Sequence, residues 1–411
     1  MSYPSALASV LYSPESSWAE TSTTFSTRLP VVGAVDVSGL QQAKLDTMRV
    51  VQLAQGAEAQ VTGFQGGSFK TKLWLPGHGS TTSGATSATS IPTLLAYALA
   101  QGSGATPPAG TTLTGGTATA PTTTASATFT AGQLCRIGAN GDSRGNGQFY
   151  AVTSHVTTTL NLKTGMSGAP SNGDVLYSAE TIYISELPST TSITGLRFTA
   201  MSANLQYNMH GCWAKSISFG IPVNGELPFV EIEWGVSRWT YGNATFPTTT
   251  TPENFAPAPG GGAGASFFFN TYGTATRATR SIRANTNAAI NVALNNIPII
   301  GVGSVGTTQA IVGCQRGPAK ITFEWTEDAP TVTTSPQLET DFETISHGLL
   351  TLSNTAGTAM GLYMPKMIPT GSKPVQFNDG GINRIKYTYQ CAADETQTTN
   401  LLASALRIGF A

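Results

Sequence analysis

Two periodicities divide this chain of 411 residues. The commoner has period two. Phe69, Thr71, Leu73 and Leu75 alternate with other residues, as do Ile217, Phe219 and Ile221, and then Val230, Ile232 and Trp234. Near the C-terminal end Ile385, Tyr387 and Tyr389 point one way and Arg384, Lys386 and Thr388 the other. Successive strand side chains face opposite sides, so each run predicts a strand with one buried and one wet face. The helical period is brief. IPTLLAYALAQG places Leu94, Leu95, Tyr97, Ala98 and Leu99 on one apolar surface, with Pro92 suited to the first turn and Gly102 to the cap.

Other stretches carry two readings or none. Leu40, Lys44, Met48 and Val51 are spaced for a helix between Ser38 as cap and Gly56 as stop, whereas the pair Val50–Val51 suits a strand. Residues 338–349 permit a short helix. Residues 1–35 are polar and irregular, anchored by Trp18, Phe25 and Leu29, and read as an arm that packs on something else. Low-complexity Ser/Thr/Gly/Pro tracts at 103–126 and 246–265 read as linkers. Behind the first tract, about five short strands separated by Gly/Asn/Asp turns, over 127–185, suggest a small inserted barrel or sandwich.

This pattern gives an organisation. Residues 1–35 form an N-terminal arm. Residues 36–104 and 186–245 form a first β domain, interrupted by a linker and inserted unit at 105–185. A linker at 246–265 leads to a second β domain at 266–411. NGELP (224–228) and Asn378–Asp379–Gly380–Gly381 read as hairpin turns. Gly211–Cys212 and Gly313–Cys314, each followed by a basic residue and an Ile-x-Phe strand, hint at an internal repeat.

Composition changes the picture in one respect. Charged residues are only 10% and the net charge is -1, while hydrophobic residues reach 40% and glycine 45 residues. Little charge repulsion keeps copies of such a chain apart, and Thr/Ser/Gly/Ala surfaces are cheap to desolvate against another subunit. The balance argues against binding nucleic acid by phosphate neutralisation. The densest basic stretch, Arg277, Arg280 and Arg283, sits among Thr, Ser and Asn and reads as a strand surface. No apolar run is long enough for a membrane helix, and the first residues lack the pattern of a secretory leader.

Candidate chemistry is sparse. Cys135, Cys212, Cys314 and Cys391 are widely separated and form no ligand spacing with His78, His155, His210 and His347, so four buried free thiols are expected and no metal or cofactor. GANGDSRGNG (138–147), with Asn140, Asp142 and Asn146, lacks the glutamate of a calcium loop and reads as a hairpin loop. The carboxylate pairs Glu231/Glu233 and Glu324/Asp328 raise glycoside hydrolysis. Glu231 and Glu233 nevertheless alternate with Val230, Ile232 and Trp234, which puts them on the polar face of one strand. No catalytic motif is found, and the chain is read as a non-enzyme.

The opening RLPVVGAVDVSGLQQAKLDTMRVVQLAQG, the strand GFQGGSFKTKLWLPGHG, the helix IPTLLAYALAQG and the later LQYNMHGCWAKSISFGIPVNGELPFVEIEWGVSRW together resemble tail tube (major tail) proteins of long-tailed, siphovirus-like bacteriophages. The resemblance covers residues 25–102 and 190–411 and is one of element order and composition. It implies a mainly β fold: tail-tube-like β-sandwich or barrel domains with a flanking short helix, duplicated or single, plus the inserted small β-barrel outside the wall. It also implies a homo-oligomer of stacked rings, three subunits if the fold is duplicated and six if not. Tape measure and terminator proteins would be partners, and DNA would pass transiently through a lumen that Glu231 and Glu233 could line. The place would be the virion tail, assembled in the host cytoplasm, with no membrane partner. Rival readings are a capsid decoration, tail fibre or adhesin, or a secreted carbohydrate-binding protein with Trp213, Trp234, Trp239 and Tyr241 as a sugar platform.

Overall fold

The computed structural model describes residues 9–19, 25, 27–33, 35–41, 45–50, 57–62, 66–75, 77, 90–99, 111–124, 129–138, 148–185, 192–202, 205–222, 227–243, 266–274, 279–280, 287–302, 309–328, 343–353, 357–371, 375–376, 384–394 and 401–411. The protein is mainly β. Strands β1 (Ser9–Pro14), β2 (Thr27–Leu29) and β3 (Leu40–Gln41) precede a hairpin of β4 (Leu45–Val50) and β5 (Ala57–Thr62). Then come β6 (Gly66–Trp74) and the helix α1 (Ser90–Ala98). A closed six-stranded barrel follows, of β7 (Thr111–Gly116), β8 (Pro121–Thr123), β9 (Leu134–Gly138), β10 (Gln148–Val156), β11 (Thr159–Leu162) and β12 (Val175–Ser178). The chain returns through β13 (Glu180–Ser185), β14 (Leu196–Ser202), β15 (Leu205–Pro222), β16 (Phe229–Val236) and β17 (Arg238–Asn243). Beyond residue 265 lie β18 (Ser266–Thr271), β19 (Thr279–Arg280), β20 (Asn287–Leu294), β21 (Ile297–Val302), β22 (Gln309–Gln315) and β23 (Ala319–Asp328). The last strands are β24 (Ser346–Leu352), β25 (Met360–Pro369), β26 (Val375–Gln376), β27 (Arg384–Ala392) and β28 (Ser404–Phe410).

One set of antiparallel pairings occurs twice. β1 lies between β2 and β14, as β18 lies between β19 and β24. The segment 31–41 borders β6, with the β4–β5 hairpin between them in sequence; β20 borders β23, with the β21–β22 hairpin between them. β6 pairs β16 as β23 pairs β27. β15 pairs β14, β16 and β17, while β25, continued by β26, pairs β24, β27 and β28. Even an irregularity repeats. The β14–β15 register slips between Leu196 and Phe198, and the β24–β25 register slips between Ser346 and Gly348, two residues into the strand each time. A bulge at the same place in both halves is a designed feature of the unit.

The repeat is not the one that the Gly–Cys pairs suggest. Gly211–Cys212 lies within β15, whereas Gly313–Cys314 lies in the β21–β22 hairpin. The counterpart of β15 is β25, and Cys212 corresponds to Met367, each closing the ladder to the preceding strand of its half.

Both halves bury a common core. Phe69, Phe198, Ile217, Phe219 and Trp234 belong to the same apolar cluster as Phe267, Ile290, Phe323, Trp325 and Leu362. β15 and β20 join the halves directly, seven residue pairs running from Ser216↔Ala293 to Pro222↔Asn287. The one polar atom that Trp234 carries is satisfied at depth, its Nε1 donating to Thr71 Oγ1 at 2.9 Å.

Of the two readings open for the 38–56 stretch, the strand is the one found where the chain is described, since Leu45–Val50 pairs with Ala57–Thr62. Three other sequence expectations are corrected. Thr111–Gly116 and Pro121–Thr123, inside the expected linker, are barrel strands whose Thr114 and Thr122 hydroxyls lie 3.0 Å apart. Thr suits strands even in low-complexity company. The end of 338–349 is strand, since β24 begins at Ser346. Within the arm, Ser9–Pro14 is an integral strand paired with β14 of its own chain. The inserted unit itself is present as a barrel with a separate core around Ile137, Tyr150 and Leu176. The linker at 246–265, the turn at 378–381 and most of the 138–147 loop lie outside the described residues.

Candidate assembly surface

Six strands, β6–β16–β15–β20–β23–β27, form one antiparallel sheet with two unlike faces. The inward face carries Phe69, Leu73, Val230, Trp234, Phe219, Ile290, Phe323 and Tyr389, all buried. The other face reads across the strands as rows. One runs Lys72, Glu231, Ser218, Asn291, Thr322, Gln390; the next runs Lys70, Glu233, Ser216, Ala293, Lys320. None of these side chains is buried. Ser218 Oγ and Asn291 Oδ1 meet at 2.7 Å. An antiparallel sheet can leave one face to water, and strict alternation is what encodes it.

Glu231 and Glu233 therefore lie where the alternation puts them, on the polar face of β16. They do not make that face acidic. Glu231 is directly opposite Lys72 and Glu233 opposite Lys70, and Lys215 Nζ reaches Glu233 Oε1 at 2.8 Å. Lys72 also sits 3.8 Å above the Phe229 ring. Farther across, Lys386 Nζ is 3.0 Å from Glu324. Opposite charges facing each other across strands pin the register at little net charge. Glu324 is thus committed to a lysine and forms no facing acid pair with its neighbours. The Glu–Lys pairing escapes sequence reading because the partner strand β6 is more than 150 positions away.

Both lateral borders of this sheet are covered by short or interrupted segments. The 31–41 segment covers β6 through Val31↔Leu73, Asp36↔Lys70 and Leu40↔Gly67, with Val32 N donating to Lys72 O at 2.7 Å. At the other border β25 covers β27 from Lys366↔Ala392 to Pro369↔Tyr389, and β26 continues at Val375↔Ile385. Among the described residues no strand pairs the outer side of the 31–41 segment or of β26. Unpaired strand borders are templates for pairing with another chain.

A second surface is apolar. On the β21–β22 hairpin Ile297 is 57% exposed and Ile300 55%, with Ile299 and Val312 also exposed. The hairpin is held partway along β22, where Ile311 O accepts from Trp18 Nε1 at 2.8 Å and from Ser237 Oγ at 2.7 Å.

Two buried ionisable sites lie elsewhere. Where β15 bulges, Gly211 has φ +60°, and a Cβ there would meet Ser237 Cβ at 2.7 Å. Gly211 N donates to Glu15 Oε1 and Ala19 N to Glu15 Oε2, both at 2.9 Å. Burial pushes the Glu15 carboxyl up to about 7, against those two hydrogen bonds and the charges of Arg197 and Arg238. His210 Nδ1 lies 3.9 Å from Glu15 Oε1, and burial with Arg238 and Arg197 pushes this imidazole down to about 4. His347, edge-on to Phe268, is likewise pushed down to about 4, by burial and Lys163, with Asp394 opposing.

The remaining candidates resolve simply. All four cysteines are free and buried. Trp213, Trp234 and Trp239 are buried, at 6%, 0% and 5% exposure, and only Tyr241 is open at 65%. The sugar platform expected from these four does not form, because the tryptophans fill the interior. His78 and the side chain of Asp328 lie outside the described residues. Among the described residues no helix is long and apolar enough to cross a membrane. Compared with protein-family models and with curated proteins, the sequence matches none.

Proposed function

We propose that the chain is the subunit of a phage tail tube, assembling into stacked rings around a channel for DNA. The observation that carries this reading is the six-stranded sheet, wet on one face and built from a twice-used unit, whose bordering segments have no strand on their outer side among the described residues. Copies joined border to border make a closed wall whose wet face lines a lumen, and closure removes the edges that invite disordered aggregation. With two units per chain, three copies give a ring of six units. The paired lysines and glutamates suit passage of a polyanion, since no dense unpaired cation would hold phosphate. The exposed isoleucines of the β21–β22 hairpin supply an apolar contact for the adjoining ring. Tape measure and terminator proteins would meet the tube at its lumen and its end.

Electron microscopy of the purified protein tests the reading. Hollow cylinders of uniform width are expected, and a chain that remains monomeric at high concentration overturns it. The role of the wet face has its own test. Glu231→Lys with Glu233→Lys sets like charges opposite Lys72 and Lys70 and turns the face basic. Particles carrying both changes should eject DNA more slowly, with a delay that shrinks as salt is raised. Unchanged ejection removes these residues from the lumen.

A further inference from the structure

Just beyond β1 the chain makes a tight turn that ties three elements together. Glu15 N donates to Gly195 O, Gly211 N and Ala19 N donate to the two carboxyl oxygens of Glu15, and Trp18, within the same turn, donates its indole N–H to Ile311 O of β22. We infer that the turn Glu15–Ala19 is a clasp: with the carboxyl uncharged it holds the outer part of the β21–β22 hairpin against the first unit, and ionisation of Glu15 opens it. The inference stands apart from the ring reading, since it concerns the pose of an exposed apolar surface whatever that surface meets.

The clasp is built on the bulge of β15. A Cβ at Gly195 would strike Glu15 Oε2 and Trp18, and one at Gly211 would come within 3.0 Å of Ala19 Cβ and 3.1 Å of Trp18 Nε1. These two glycines leave the room into which the turn folds, and Ala19 takes φ +53° to bring its amide round to the carboxyl. Trp18 then packs in one apolar cluster with Ile193, Trp213, Ile311 and Cys314. The second donor to Ile311 O, Ser237 Oγ, rides on the same bulge, because Ser237 N donates to Gly211 O at 3.2 Å. The hairpin has separate anchors at its base, where Ile193 N donates to Cys314 O at 2.9 Å and Asn296 Nδ2 to Ala214 O at 2.8 Å. Opening the clasp leaves that base in place and frees the part beyond it, where Ile299, Ile300 and Val312 are exposed. The repeated unit does not itself demand a carboxyl here. Tyr272 donates its amide to Ile345 O just before β24, as Glu15 does to Gly195 O just before β14, yet it sends its hydroxyl to Asp394.

The charges around the turn give the direction of the switch. Arg197 from β14 and Arg238 from β17 favour the carboxylate, and His210 and Cys212 face it from β15. Burial keeps that imidazole and that thiol uncharged near neutral pH, so neither adds a charge, and β22 brings only the buried Cys314 thiol to the Trp18 cluster. Against two amides and two arginines, burial still raises the carboxyl to about 7. Above that pH the closed turn must hold a carboxylate away from water, and opening hydrates it. Trp18 lies between Glu15 and Ala19 in sequence, so it leaves with them.

The Trp18 indole N–H reads the contact directly, since it is the donor to Ile311 O. Its NMR signal in the full chain is assigned by its loss in Trp18→Phe. Its exchange with solvent is then followed from about pH 6 to about pH 8.5 in wild type and in Glu15→Gln, which cannot ionise. The ratio of the two rates cancels the base catalysis common to both. It should rise by up to about tenfold per pH unit above about 7. Alkylation of Cys314 relative to Cys135, which is buried inside the barrel, reads the hairpin and should rise over the same range in wild type alone. Should Glu15→Gln not fold, the other tryptophan indoles of the chain serve as the reference for the wild-type series. A ratio that stays flat overturns the clasp. A Trp18 that loosens while Cys314 stays closed overturns its hold on the hairpin.

Discussion

Glu15→Gln isolates one buried carboxyl in the stability of the unassembled chain. Burial raises this group from 4.5 to about 7. The folded chain therefore holds a proton between those pH values that the unfolded chain releases. Its contribution is fully present below about pH 4.5 and is lost as pH rises through about 7. At 1.36 kcal/mol per unit, the swing is about 3 kcal/mol. Gln cannot titrate, so the swing disappears in the variant. It also offers one acceptor oxygen to the two amides of Gly211 and Ala19, a penalty that does not vary with pH.

His210 and His347 work in the opposite sense. Their folded values lie at about 4 against 6.5 unfolded, so the unfolded chain binds the extra protons between these limits. Their contribution is present above about pH 6.5 and is lost as pH falls through about 4. Wild-type stability alone mixes the three groups, whereas the difference between Glu15→Gln and wild type removes both histidines. Denaturant unfolding at pH 4.5, 5.5, 6.5 and 7.5 should show the variant gaining on wild type by about 3 kcal/mol across the series. A flat difference refutes the burial argument. A difference confined to the histidine window would mean that His210, 3.9 Å away, titrates with the carboxyl.

Two further perturbations test the fold. Gly211→Ala forces a side chain into the left-handed region and against Ser237 and Ala19, so thermal or denaturant unfolding should show a loss of about 1–3 kcal/mol. Phe149→Ala removes the ring that lies against Gly361 and Gly409, where a Cβ would come within 2.6 Å and 3.1 Å of it. That change should cost about 3–5 kcal/mol and split a single unfolding transition into separate barrel and body transitions, readable by calorimetry.

The sequence makes faces legible and partners illegible. Alternation around Phe69, Ile217, Val230 and Tyr387 predicts strands with one wet side, and each is found so, because period two is a local property. Pro92 and the leucines behind it predict the helix for the same local reason, and it spans Ser90–Ala98. The Lys72–Glu231 and Lys70–Glu233 oppositions depend on which strand lies beside which, and so does the junction of β15 with β20. Nothing within either strand specifies that choice. The repeat fails at sequence level for a related reason. Cys212 and Met367, which close the same ladder in the two halves, share only burial, and a core position tolerates any side chain of suitable volume. Gly–Cys pairs look alike in one dimension and occupy unrelated places. The threonines of 111–123 mislead in the opposite way, since a strand rich in Thr and Gly looks like a linker until its ladder is seen.

The barrel interrupts the first unit, between α1 and β14, but it packs on the second. Leu134 and Phe149 meet Phe268, Leu349 and Tyr363, and Lys163 bridges to Asp394 at 2.9 Å. Its exit strand β13 then runs along β28 from Glu180↔Phe410 to Ser185↔Ser404, so the outer side of β28 is covered. In the first unit the counterpart of β28 is β17, and among the described residues no strand covers its outer side, where Tyr241 is open. Two otherwise equivalent units thus differ at one edge, and the insertion is the cause. A strand border left open can pair with the wrong partner, and β13 covers the β28 border of the second unit. The insertion is held to that unit by a strand ladder and an apolar contact rather than hung on a tether.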